Sequence, residues 1–386
     1  MDRRTLLRSA VAALGTAAFS GATWRAALAA TARPGVGPYG PLRPPDRSGV
    51  ALPGGFTSRI VARSHLLVGA TEYVWHDAPD GGACFPGPGG GWTYVSNSEV
   101  MLHGGASALR FRADGTIASA GRILGGTTAN CAGGATPWGT WLSCEEFFSG
   151  RVYEAWPDGS RKAVARPALG RFAHEAAACD PDHRVIYLTE DRKDGCFYRF
   201  RPDRWGELSA GRLEVLVADA HAESGPVRWE RVPDPDGFPR ATRRQVRGAR
   251  RFNGGEGCWY AHGVCYLTTK GDDRVWAYRA DAGRLDLVYD RASQPDPPPL
   301  TGVDNVVGAR SGDLYVAEDH SRPALVLITP DGVVAPFLRL PGHDRSEITG
   351  PAFSPDGSRL YFSSQRGVTG RNRGGITFEV TGPFRR

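Results

Sequence analysis

Residues 185 to 200 read VIYLTEDRKDGCFYRF. Val185 to Leu188 form a short strand of β-branched, aromatic and aliphatic residues, and an acidic pair, Glu190 and Asp191, follows it. A polar turn then ends at Gly195, and Cys196 to Phe200 start a second strand. This pattern recurs along the chain. The strands that match Val185-Ile186-Tyr187-Leu188 are Trp92-Thr93-Tyr94-Val95, Thr140-Trp141-Leu142, Val264-Cys265-Tyr266-Leu267, Leu314-Tyr315-Val316 and Arg359-Leu360-Tyr361-Phe362. With Tyr94, Leu142, Tyr187, Tyr266, Tyr315 and Tyr361 as markers, the gaps are 48, 45, 79, 49 and 46 residues. Such steps, one of them lengthened by an insertion at about 201–250, match one four-stranded blade per repeat. No stretch keeps a 3.6-residue apolar period over three turns, so helices are minor, and a pair of β-sandwiches would not need the repeat. The expected fold is all-β, a six-bladed β-propeller.

In a propeller the innermost strand of each blade lines the central channel, and its start opens on one face of the disc. The residues at those starts are Glu175, Glu256, Asp304 and Glu347, with Asn130 and Cys131 in the second blade. Further acids fall where the next strand ends: Glu99, Glu145 and Glu146, Glu190 and Asp191, and Glu318 and Asp319. Carboxylates converging on one axis repel one another and raise one another's pKa, which calls for cations. The expectation is therefore a central metal site. Carboxylate oxygens suit a hard ion such as calcium, and a thiolate suits a transition metal such as iron.

Arg3 and Arg4, a mildly apolar stretch and Ala27-Leu28-Ala29 give residues 1–29 the form of a twin-arginine signal peptide. The apolar run between Arg8 and Arg25 is sixteen residues long, short for a membrane helix. Residues 30–55 read as a Pro/Gly-rich extended leader, and 56–386 as one propeller domain. The signal carries four arginines and one aspartate, and without it the formal net charge falls from +6 to +3. With no aromatic-basic array, nucleic acid is excluded as a partner. Arg243, Arg244, Arg247, Arg250 and Arg251 read as a surface loop able to meet an anion. Seven cysteines leave one over if six pair in an oxidising compartment. There is no Gly-x-Ser-x-Gly elbow, phosphate loop or His-Glu-x-x-His pattern, and His174 and Cys144 read as structural.

Several stretches are similar to one family: NCAGGATPWGTWLSCEE at 130–146, GRFAHEAA at 170–177, the strand ending in TED at 189–191, an F-x-x-x-E segment at 252–256, and EITGPAFSPDG at 347–357. They resemble the PhoX-type alkaline phosphatases, exported bacterial proteins, over about 60–380. The resemblance implies a six-bladed propeller, twin-arginine export, and a central cluster of iron and calcium that hydrolyses phosphate monoesters. Carried over residue by residue, Cys131 resembles the iron-ligating thiolate. Glu175 and Glu256 resemble bridging carboxylates, and Glu145 or Glu146 a further ligand. Glu190 and Asp191 fall where the family has calcium ligands, and Glu99 matches an Asn-His-Glu motif in which Ser98 replaces the histidine. In the family an arginine commonly precedes the glutamate aligned with Glu256 by two residues; this chain has Gly254. Arg250 or Arg251 is the expected substitute for binding phosphate.

The reading is thus a periplasmic or secreted metal-dependent phosphomonoesterase. Cys131, Glu175 and Glu256 are its catalytic metal-binding core, and its partners are a small phosphate ester and the twin-arginine export machinery, without stable membrane insertion. The alternatives are another hydrolase on the same propeller, such as a lactonase, or a non-catalytic binding protein with structural calcium. The glycines of the 130–146 stretch are expected to let the backbone approach the ions.

Overall fold

The computed structural model describes residues 31–319 and 321–386, so the expected signal segment lies outside the described residues. The strands form six separate sheets arranged as the blades of a propeller. The innermost strands of blades 1 to 6 are Pro79–Pro86, Asn130–Ala135, His174–Asp180, Gly255–Ala261, Val303–Gly308 and Ile348–Phe353. Their antiparallel neighbours are Trp92–Ser98, Trp141–Glu145, Val185–Glu190, Val264–Thr269, Leu314–Glu318 and Arg359–Ser364, which are the six recurring strands of the sequence. Helical structure among the described residues amounts to 3-10 turns of three residues.

The second strands are apolar rather than alternating because both faces of each blade are covered by its neighbours. Trp92–Ser98 is buried at every position. The marker aromatics join blades. Tyr94 of blade 1 stacks on Tyr361 of blade 6 with ring centroids 4.9 Å apart, Tyr187 of blade 3 meets Tyr278 of blade 4 at 5.5 Å, and Tyr315 of blade 5 meets Phe353 of blade 6 at 5.1 Å. All five marker tyrosines are buried. Each such ring removes roughly 150–250 Å² from water, so these contacts are a large part of what holds neighbouring blades together.

The ring closes through hydrogen bonds between distant parts of the chain. Thr57–Arg63 pairs antiparallel with Ile376–Thr381 and supplies the outer strand of blade 6. Arg59 and Arg359 both reach the buried carboxylate of Glu379, at 2.8 and 2.7 Å, which fixes the register of this joint.

Two segments differ from their sequence reading. The leader is a packed part of the fold. Arg33–Pro34 runs parallel to Val333 and Val334 on the edge of blade 5, Ala51 bridges to Arg339, and Val50 and Leu52 are buried, because this stretch has just enough apolar side chains to cover an exposed sheet edge. Residues 201–217 belong to the regular third and fourth strands of blade 3, Phe197–Arg204 and Glu207–Val217, so the surplus runs over 218–254. Within it, Arg228–Arg231 extends blade 3 and Ser224–Pro226 extends blade 4.

Gly134 of the 130–146 stretch serves packing between strands. A Cβ on Gly134 would lie 2.0 Å from the carbonyl oxygen of Ala177 in blade 3, so only glycine lets these innermost strands come together.

Candidate metal centre

Every blade brings its chain past the axis in the same way. The first residue beyond each second strand donates its backbone N–H to the carbonyl of the residue just before the innermost strand. These bonds are Glu99 to Ala78, Glu146 to Ala129, Asp191 to Ala173, Lys270 to Gly254, Asp319 to Gly302 and Gln365 to Glu347, at 2.8 to 3.2 Å. The innermost strand then bulges, with register shifts between residues 79 and 82, 130 and 133, 174 and 177, 255 and 258, 303 and 306, and 349 and 352. A bulge re-aims the side chains it contains. In blades 1 to 5 the bulge opens with Asp80, Cys131, Glu175, Glu256 and Asp304. In blade 6 the matching residue is Thr349, whose hydroxyl bonds to the carbonyl of Pro79 at 2.8 Å, and the acid comes from Glu347 two residues earlier.

Two tiers therefore face the axis: Asp80, Cys131, Glu175, Glu256, Asp304 and Thr349 below, and Glu99, Glu146, Asp191, Lys270, Asp319 and Gln365 above. Their ligand atoms form four overlapping groups, each within 4.8 Å: Asp80, Glu99 and Cys131; Cys131, Glu146 and Glu175; Glu175, Glu256 and Asp304; and Asp304, Asp319 and Glu347. Cys131 Sγ donates to Glu175 Oε1 at 3.2 Å, and Gln365 Nε2 donates to Glu99 Oε2 at 2.7 Å and to Asp80 Oδ2. Glu175 Oε2 and Glu256 Oε1 are buried without a hydrogen-bond partner.

Burial, then mutual repulsion, pushes these acids up. Asp80, Glu175 and Glu256 rise well above the usual carboxylate range, and Glu146 and Glu347 rise to about 8. The Cys131 thiol is likewise pushed up by burial and by Asp80 and Glu175. Without cations the centre thus holds protons where its oxygens converge. Multivalent ions are the species that replace several such protons at once, and the unpartnered buried oxygen of Glu175 is a position for one, whereas Lys270 Nζ already lies 3.7 Å from Glu256 Oε1. The donor set fits: a thiolate with carboxylates at Cys131, Glu146 and Glu175, and oxygen donors elsewhere.

Of the residues expected from sequence, Cys131, Glu99, Glu146, Glu175, Glu256, Asp304, Asp319 and Glu347 meet here, and Asp191 lies beside Glu146, whose pKa it raises. Four others do not. Glu145 lies one residue inside the strand, and its carboxylate accepts the backbone N–H groups of Thr128 and Arg151 at 2.9 and 3.0 Å. Glu190 is likewise one residue short of the turn. It is held by Arg243, the Tyr198 hydroxyl and the Cys196 N–H. Arg250 is buried in the surplus segment, where it donates to the carbonyls of Asp219 and Ala222 and stacks over Trp276. Arg251 points to Cys196 and the Asp194 carbonyl. Neither arginine reaches the axis, because 218–254 folds along the rims of blades 3 and 4. All seven cysteines are free. His174 stacks on Phe172 and bonds to the Gly170 carbonyl.

The sequence reading missed Asp80, Gln365, Lys270 and Arg366. Asp80 sits in Pro79-Asp80-Gly81-Gly82, which reads as a turn. Lys270 and Gln365 follow their strands at the position where acids were sought, Arg366 lies one residue beyond it, and so all three were passed over. Because Glu145 carries only backbone contacts, Glu145→Gln should keep the bound metal and cost about 1–3 kcal/mol of stability, as one N–H loses its acceptor. Glu146→Gln should lose metal with little change in stability. Metal analysis and thermal melts of the two variants check this contrast.

A family model described as alkaline phosphatase PhoX matches residues 87–162 and 150–367. The chain belongs to the PhoX alkaline phosphatase family. It is accordingly a PhoX-like alkaline phosphatase, a metal-dependent hydrolase. Pseudomonas fluorescens PhoX in complex with vanadate, a transition state analogue, has a similar fold: TM-score 0.71 and 19% identity, over 89% of this chain and 97% of that one. A gluconolactonase from Xanthomonas campestris aligns with TM-score 0.52 and 14% identity, over 90% of this chain and 99% of that one. No curated protein matches the chain. At these identities the two structures bear on the fold alone.

Gly254, where the resemblance led to the expectation of an arginine, sits in a backbone that suits glycine. Gly254 has φ +71° and stands at the position of Glu347 in blade 6, and a Cβ there would lie 3.2 Å from Asp191 Oδ1. An arginine would be strained in this backbone. The cations at the mouth are instead Lys270, 2.8 Å from Asp319, and Arg366, 2.9 Å from Glu347. No helix among the described residues is long and apolar enough to cross a membrane.

Proposed function

We propose that the chain is an exported phosphomonoesterase whose centre holds iron at Cys131, Glu146 and Glu175 and calcium among the carboxylates beside them. Residues 1–29 direct twin-arginine export, and the protein works in the periplasm or outside the cell on a small phosphate ester. The observation that carries the reading is the unpartnered, buried Oε2 of Glu175, set among donor groups that include one thiol. Multivalent ions held by Cys131, Glu146, Glu175 and their neighbours would supply neutralisation of phosphoryl oxygens and an activated oxygen nucleophile.

The protein's own groups hold and orient. Cys131 with Glu146 and Glu175 favours a thiophilic ion, and Glu256 links that side to Asp304. Gln365 fixes Asp80 and Glu99 by donating to both. Arg366 spends one nitrogen on Glu347 and is partly exposed at the rim, so its remaining donors can meet a phosphate from the solvent side. Arg366 takes the role first sought at Arg250 and Arg251.

A lactone substrate is the second reading, favoured by Gly254 in the position of the phosphate-binding arginine. Assays of the metal-replete protein on an aryl phosphate and on a lactone test the choice. Hydrolysis of the phosphate at the higher kcat/KM is expected, and turnover of the lactone alone overturns the proposal.

A further inference from the structure

The upper tier carries an acid or an amide in five blades and a lysine in the fourth. Lys270 Nζ lies 2.8 Å from Asp319 Oδ2, 3.3 Å from Asp304 Oδ2 and 3.7 Å from Glu256 Oε1, so it joins carboxylates from two blades. The chain has three lysines among its 47 basic residues, so arginine is the rule and a lysine here is a departure from it. The two are not interchangeable. An ammonium is a compact point charge that fits between converging oxygens, and a guanidinium is a broad plane that does not.

The four donor groups differ in what already neutralises them. Among the described residues, Asp80, Glu99, Cys131, Glu146 and Glu175 have no ion pair with lysine or arginine. In the group of Asp304, Asp319 and Glu347 every carboxylate has one: Lys270 meets Asp304 and Asp319, and Arg366 meets Glu347. The second oxygen of Asp304 accepts from Asn305 Nδ2 at 2.8 Å, so this carboxylate is engaged on both sides.

Resting on the metal-centre reading above, we propose that Lys270 is a tethered cation standing in for a divalent ion at the Asp304, Asp319 and Glu347 group. The ions then gather on the side of blades 1 to 3, with Glu256 at their boundary. An ion at the lysine's position would need Nζ to leave three carboxylates.

The test is the number of ions per chain, measured by plasma mass spectrometry after reconstitution with ferric iron and calcium and removal of the excess. Asp319→Asn is expected to keep the wild-type count, because its carboxylate holds an ammonium and not an ion. Lys270→Met is expected to gain about one calcium per chain. Loss of one ion in Asp319→Asn, or an unchanged count in Lys270→Met, overturns the assignment. Circular dichroism of each variant confirms that the counts come from folded protein. A wild type that binds no ions overturns the metal centre itself, whereas a wild type that binds ions and loses one in Asp319→Asn overturns only the role of Lys270.

Discussion

Cys131→Ala is expected to fold, to lose the thiophilic ion, and to hydrolyse an aryl phosphate at least ~100-fold more slowly than the parent, the order of effect seen when a charge-stabilising group is removed from an active site. The side chain is small, and its one polar contact is the bond to Glu175 at 3.2 Å, so truncation leaves the blades intact. The loss falls on the metal. Without a cation the Cys131 thiol is held protonated by burial and by nearby acids; a thiophilic ion binds by displacing that proton, and no other residue of the donor groups offers sulfur. Iron content, the thiolate-to-iron absorption band and kcat on one preparation provide three readouts. A variant that keeps its iron and its band would show that Cys131 is a packing residue.

The second large effect is expected on removing the ions. In the chelated protein Glu146 and Glu347 stand at about 8, against an ordinary glutamate value near 4.5 in the unfolded chain. Between those values the folded state binds more protons than the unfolded one. The stability that these two groups contribute to the ion-free protein is therefore fully present below about pH 4.5 and is lost as pH rises towards 8. Asp80, Glu175 and Glu256 shift in the same direction. The groups are coupled and do not add. Even so, a loss of several kcal/mol between pH 5 and 8 corresponds to a fall in melting temperature of ~5 °C. The ion-loaded protein should lack this fall, because its carboxylates stay ionised on both sides of the window. Melting curves at pH 5 and pH 8, with and without chelator, check the sign. A chelated protein that melts higher at pH 8 than at pH 5 would remove the basis for a cation-dependent centre.

The fold was legible because each blade repeats one buried strand, and burial on both faces writes a continuous apolar run such as Val185 to Leu188 into the sequence. The centre was legible at Cys131, Glu175 and Glu256, which head their innermost strands. It was less legible where neighbours in sequence part ways in space. Glu145 and Glu146, and Glu190 and Asp191, differ by one position, and a strand sends adjacent side chains to opposite faces, so only the second of each pair reaches the axis. Lys270 and Gln365 were hidden by their chemistry. They occupy the same position as Glu99 and Asp319 and carry no acid. Arg250 was misread because nearness to Glu256 along the chain says nothing of where residues 218–254 go.

The joint between Thr57–Arg63 and Ile376–Thr381 bears on the order in which the centre is assembled. Gln365, which precedes the last strand, is what holds Asp80 and Glu99 of the first blade. During synthesis five blades can emerge and pack while these two acids still lack their donor. The ion-binding ring becomes complete only when the end of the domain returns to its beginning. Loading is therefore coupled to the last step of folding, and a chain that stops before blade 6 has most of its ligands and no finished site.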